Sequence, residues 1–89
     1  MDLVYNPAAF RHGQTEKDIE AAIESPMYDV LITGHDNKYL LIGFNTHGNL
    51  IEVMYNLVDG NIANVFHAML CRNEVLRKVQ QRGEYADFN

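Results

Sequence analysis

The sequence predicts a single α+β domain in which two N-terminal helices precede a four-stranded antiparallel meander sheet and a C-terminal helix. Three observations favour this class. Apolar residues recur at helical spacing near both ends of the chain, and strand-like segments fill its middle. Short turns separate these segments, and such turns join only antiparallel neighbours. The 89 residues, 47% hydrophobic and 21% charged, suit one globular domain with one core.

The N-terminal helices are predicted from residues that begin and end helices. A short first helix covers residues 7–12, because an asparagine followed by Pro7 commonly opens a helical turn and Gly13 interrupts it. The second helix begins at Thr15, and the acid Asp18 three positions later completes a capping-box pattern. Apolar residues then follow at helical spacing until the Ser-Pro pair at 25–26 ends the helix.

Four strands are predicted, for residues 29–33, 38–44, 50–58 and 62–69, with turn-forming residues between them. Alternation along the third strand places its more apolar side chains, from Ile51 to Leu57, on the face that should pack against all the helices. Glu52 then points to the opposite face, which we expect to be exposed to water. In the last strand the two alternating sets are both mixed, so the orientation of His67 is left open.

A closing helix is predicted from an Asn73 cap, an apolar stripe that includes Val75, and the helix-ending Gly83. The domain therefore spans residues 1–83. A tail, residues 84–89, carries Tyr85 and Phe88 and either docks by these aromatic side chains or frays.

The charge and the cysteine content limit the partners and the cellular compartment that the sequence predicts. The net charge of −5 argues against strong nonspecific binding of nucleic acid. The charge is uneven, however: residues 16–29 hold five acids and one lysine, whereas residues 72–82 hold four basic residues and one acid. The single cysteine, Cys71, fits a reducing compartment. No signal-peptide pattern or run of about 18 apolar residues is present, so we expect a cytoplasmic protein that does not associate with membranes.

His67 and Arg72 are the strongest candidates for chemistry. The commoner interpretation of His67 is a half-buried histidine bonded to backbone or to a neighbouring carboxylate. The functional interpretation requires Glu52, on the adjacent strand, to orient the imidazole as a general acid or base, and Arg72 to bind a phosphate. Arg11 and His12 are either a solvated loop or part of the same site. The four histidines lack the paired spacing of zinc motifs, so we expect no metal and no cofactor.

Several segments resemble the BrnT-type toxins of bacterial type II toxin–antitoxin systems, which belong to the RelE/ParE-like group. They are RHGQTEKDI (11–19), KYLLIG (38–43), GNLIEV (48–53) and VFHAM (65–69) with the arginine that follows at position 72. The resemblance covers about residues 10–80. It implies a RelE-like fold, cleavage of messenger RNA without a metal, and neutralisation by a cognate antitoxin.

The leading hypothesis is therefore a toxin that acts as a metal-independent endoribonuclease, with RNA and a cognate antitoxin as partners and a homo-oligomer left open. The predicted site comprises the catalytic residues His67, Arg72, Glu52 and His12 and the substrate-binding residues Arg11, Arg77 and Lys78. The alternative is a noncatalytic protein-interaction domain of the same fold, with the acidic helix and a mixed sheet face as its binding surface.

Overall fold

The structure, a computed structural model, describes residues 1–86. In chain order its elements are β1 (Asp2–Tyr5), a 3-10 turn (Pro7–Phe10), α1 (Glu16–Glu24), β2 (Pro26–Leu31), β3 (Tyr39–Phe44), β4 (Leu50–Asp59), β5 (Ile62–Leu70) and α2 (Asn73–Arg82). Among residues 1–86, no helix has the length and apolar character that crossing a membrane requires.

The five strands form one mixed sheet in the order β1-β5-β4-β3-β2. β1 runs parallel to β5, and the other neighbours are antiparallel. The molecule is α+β, but the predicted arrangement of two N-terminal helices and a four-stranded antiparallel sheet is wrong, and with it the expected RelE-like arrangement. β1 was not predicted, because it has only four residues and pairs Asp2 with the distant Ile62, so no turn in the nearby sequence indicates a strand. The first predicted helix is a single 3-10 turn of four residues.

The two helices lie on opposite faces of the sheet, which corrects the expectation that one face carries both. α1 and the 3-10 turn pack on the face that carries Ile51 and Val53. α2 buries its stripe of Val75 and Val79 on the other face, against a cluster that includes Ile42. α2 therefore covers the face of β4 that the sequence predicts to be exposed to water.

Asp18 fixes the beginning of α1. The predicted capping box is confirmed: the Asp18 N–H donates to Thr15 Oγ1 at 3.1 Å, and the Thr15 N–H donates to Asp18 Oδ2 at 3.0 Å. Both the N–H and the hydroxyl of Thr46, in the β3–β4 turn, donate to Asp18 Oδ1. The Thr46 hydroxyl, followed by the Thr15 N–H, holds the pKa of Asp18 well below its usual value. The carboxylate therefore joins α1 to the sheet.

Gly43 allows α1 to approach β3 closely. A Cβ atom at this position would lie 2.6 Å from the backbone oxygen of Ala22, which is far inside van der Waals contact. Since that neighbour is backbone, relief would require the helix to move away from the sheet.

The ends of α2 differ in part from the prediction. Its N-cap is Arg72 rather than Asn73, and no side chain caps it. Gly83 ends the helix with a φ of 67°, as predicted. Beyond it Tyr85 is buried and forms a parallel bridge with Ile32, so this part of the tail docks. Phe88, the other aromatic residue of the tail, lies outside the described residues.

Candidate functional site

A β-bulge in β5 determines where His67 points. Val65 pairs with Tyr55, but His67 pairs with Met54, so Phe66 is an extra residue between the two pairs. Without the bulge, His67 would share the α1 face with Val65. The bulge instead turns His67 to the α2 face, where Glu52 on β4 also points.

Glu52 accepts hydrogen bonds from both of its predicted partners, His67 and Arg72, through one oxygen. His67 Nε2 lies 3.1 Å from Glu52 Oε1, and Arg72 Nε lies 2.8 Å from the same atom. The Glu52 side chain is completely buried, whereas 22% of the His67 side chain and 42% of the Arg72 side chain remain exposed. One buried carboxylate thus holds an imidazole and a guanidinium that both reach the surface.

This geometry fixes how the imidazole can act. An ionised carboxylate only accepts hydrogen bonds, so the Nε2–H of His67 is the donor to Glu52. In a neutral imidazole the second nitrogen, Nδ1, then carries the lone pair. Arg72 is held through Nε, which leaves the two terminal amino groups of its guanidinium for an external anion.

His12 brings a second imidazole to this site. Its ring centroid lies 5.7 Å from that of His67, with an interplanar angle of 68°. The 3-10 turn that precedes His12 is anchored to β5 by the Asn6 N–H, which donates to the Val65 carbonyl at 2.8 Å. Arg11, next in sequence, is exposed. The structure thus brings together His67, Glu52, Arg72 and His12, and Arg11 is the sequence neighbour of His12.

Lys78 lies away from this cluster. Its Nζ lies 5.7 Å from the centroid of the Tyr85 ring, and Tyr85 bridges to Ile32 beyond β2. β2 lies three strands from β5 in the sheet, so at the usual strand spacing the two strands are roughly 14 Å apart. Arg77 is exposed on the same helix and has no described contact with the four clustered side chains.

Two further features of the site concern the surroundings of Glu52. Its second oxygen, Oε2, is buried and has no hydrogen-bond partner among the described residues. The nearby Cys71 thiol has its pKa raised to about 11, mainly by burial and then by the charge of Glu52. Cys71 is therefore a protonated packing residue at neutral pH. Within residues 1–86, no three histidine, cysteine or acidic side chains form a group that could hold a metal ion.

The sequence analysis missed the burial of Glu52. The apolar stripe of α2 could have indicated it, because a stripe containing Val75 and Val79 needs an apolar surface and the α1 face is already covered. It also missed the bulge at Phe66, for which the sequence carries no local indication.

Comparison of the chain with protein-family models, with characterised proteins and with solved structures finds no match.

Proposed function

We propose that this protein is a cytoplasmic endoribonuclease that cleaves messenger RNA by acid–base chemistry and serves as the toxin of a toxin–antitoxin pair. The observation that carries the proposal is the pair of imidazoles, His67 and His12, beside an arginine. Such a set can take a proton, give a proton and stabilise negative charge around one phosphate. The resemblance of four segments and Arg72 to BrnT-type toxins supports the biological role.

In the proposed chemistry the two histidines take complementary roles. His67 Nδ1 accepts the proton of a ribose 2′-hydroxyl, and the 2′-oxygen attacks the adjacent phosphorus. The bond from phosphorus to the 5′-oxygen breaks, and protonated His12 gives its proton to that oxygen. The products are a 2′,3′-cyclic phosphate end and a 5′-hydroxyl end. Each imidazole needs a reach of about 3 Å to its oxygen, so two rings with centroids 5.7 Å apart can serve the same phosphate.

Arg72 and Glu52 have supporting roles in this scheme. The terminal amino groups of Arg72 bind the phosphate oxygens and stabilise the charge that develops in the transition state. Glu52 is a positioning residue, because it fixes the tautomer of His67 and the direction of Arg72 without touching the substrate. Arg11, next to His12, would bind a neighbouring phosphate.

The charge distribution allows an acidic protein to bind RNA on one side. α1 carries four acids and one lysine, whereas the segment from Arg72 to Arg82 carries four basic residues and one acid. The two helices lie on opposite faces, so the negative charge of α1 is separated from the α2 face by the sheet. RNA would approach from the α2 side.

Inducible expression in bacterial cells tests both halves of the proposal. The wild-type chain should arrest growth and fragment transcripts, and His67→Ala should do neither. The matched control is His47→Ala, which removes an exposed histidine in the β3–β4 turn and should behave as wild type. A protein encoded beside the gene should restore growth if it is the antitoxin. Growth arrest that persists in His67→Ala with transcripts intact would refute the nuclease and favour the noncatalytic interaction domain.

A further inference from the structure

A groove on the α1 face separates α1 from the edge strand β1. It measures about 340 Å³ and lies on the α1 face of the sheet, whereas His67 points to the α2 face. β1 contributes two partly buried side chains to its floor, and α1 contributes residues from successive turns to its wall. The residues that define this α1–β1 groove are Leu3, Tyr5, Glu16, Glu20, Ile23 and Glu24.

The outer edge of β1 is an open edge of the sheet, because β1 is the terminal strand. The N–H of Asp2 donates to the Asn61 carbonyl at 2.9 Å, and that of Asn6 donates to the Val65 carbonyl at 2.8 Å. Backbone groups alternate in direction along a strand, so those of Leu3 and Tyr5 point away from β5. An incoming strand could bond to both residues.

The chemistry of the groove selects a basic, partly apolar occupant. The three α1 glutamates place three carboxylates along it, while Leu3 and Ile23 offer apolar contact. The Tyr5 hydroxyl is buried and has no described hydrogen-bond partner. Burial raises the pKa of this hydroxyl to about 12, and the negative charges of Glu20 and Glu16 add to the shift.

We propose that the α1–β1 groove binds an extended, basic segment of a protein partner, which joins the sheet as a sixth strand beside β1. Main-chain hydrogen bonds to Leu3 and Tyr5 provide affinity, and alternate lysine or arginine side chains reach the α1 glutamates. RNA does not fit, because the rim is negative. A second copy of this chain does not fit either, since its own β1 and α1 would bring the same acids to the contact. The proposal is independent of the ribonuclease proposal.

A synthetic peptide titrated into the full chain tests this inference. The probe is a capped seven-residue peptide that alternates lysine and valine, and the control peptide alternates glutamate and valine. In two-dimensional NMR, the amide signals of Leu3 and Tyr5 should shift with the lysine peptide, and their hydrogen exchange should slow. The glutamate peptide should leave them unchanged. A version of the lysine peptide methylated on alternate backbone nitrogens should bind at least tenfold more weakly.

Charge variants of the protein complete the test. The triple variant Glu16→Gln, Glu20→Gln, Glu24→Gln should bind the lysine peptide at least tenfold more weakly. Glu74→Gln, which removes one exposed acid from α2 instead, should bind it as wild type does. Equal binding by the triple variant, binding without change at Leu3 and Tyr5, or no binding at millimolar peptide would each overturn the proposal. So would a dimer in light scattering that Leu3→Pro dissociates, because a second copy would then be the occupant.

Discussion

Replacing Glu52 with glutamine removes one buried negative charge and keeps a side chain of nearly the same shape. Breaking a fully buried ion pair usually destabilises a protein by about 3–5 kcal/mol, because the remaining charge is stranded away from water. Here the remaining partners are not stranded, since 22% of the His67 side chain and 42% of the Arg72 side chain are exposed. Water can therefore reach the imidazole and the guanidinium once the carboxylate is gone.

The expected loss is therefore smaller than for a fully buried pair. Glutamine still offers an oxygen to His67 and Arg72, so each hydrogen bond falls from about 1.5–3 kcal/mol to about 0.5–1.5 kcal/mol. Against this loss, glutamine avoids burying a charge whose Oε2 has no described partner. We expect the free energy of unfolding to fall by less than about 2 kcal/mol, out of a total of about 4–13 kcal/mol for a domain of this size.

Urea denaturation measures this loss through the midpoint at unchanged slope. Glu52→Leu, which removes the polar group entirely, should also stay within about 2 kcal/mol of wild type. RNA cleavage by Glu52→Gln should nevertheless fall at least tenfold, because a neutral amide holds His67 and Arg72 less firmly than the carboxylate does. A loss of 3 kcal/mol or more in Glu52→Gln at about the same slope would refute the reasoning and make Glu52 a structural residue.

Three further predictions test the fold and the packing around the site. Asp18→Asn should lower the free energy of unfolding by about 1–2 kcal/mol at pH 7. The pKa of Asp18 is lower in the folded than in the unfolded protein, so the ionised carboxylate stabilises the fold fully above the unfolded pKa of about 3.9, and this stabilisation is lost as the pH falls through the folded pKa. The urea midpoints of Asp18→Asn and wild type should therefore converge in acid. A difference between the midpoints that does not change with pH would contradict this. Gly43→Ala should lower the free energy of unfolding by about 1–3 kcal/mol in the same assay. The control is Gly60→Ala, which should leave the free energy of unfolding nearly unchanged, because a Cβ atom there meets nothing within 4 Å. Equal losses in the two variants would show that the close approach of α1 to β3 is unimportant. Cys71, with its pKa near 11, should react with iodoacetamide at pH 8 far more slowly in the folded protein than in urea, and equal rates would show that the thiol is accessible.

The sequence predicted those elements whose determinants are local. The capping box at Thr15 and Asp18 uses residues three positions apart, and the C-cap at Gly83 needs only one residue with positive φ. The four longer strands were found, because alternation and turns mark them. β1 was missed, since a four-residue strand that pairs Asp2 with Ile62 gains its stability from a distant partner.

The sequence predicted which residues form the candidate site, but not the burial of Glu52 or the face of the sheet to which His67 points. The proximity of Glu52, His67 and Arg72 follows from adjacent strands, which the turn between β4 and β5 makes predictable. The side to which His67 points could not be predicted, because it depends on the extra residue at Phe66. The burial of Glu52 depends on which face α2 covers, and that choice is made by packing between elements distant in sequence.

Cleavage of a defined RNA by the purified protein tests the central claim most directly. The substrate is an oligonucleotide, assayed in EDTA across pH 5–9, beside an identical oligonucleotide with a 2′-deoxy sugar at the cleaved position. The account predicts 2′,3′-cyclic phosphate and 5′-hydroxyl ends, and a bell-shaped rate profile that is lost in His67→Ala and in His12→Ala but kept in His47→Ala. Cleavage of the deoxy-substituted position, or an unchanged profile in His67→Ala, would contradict it.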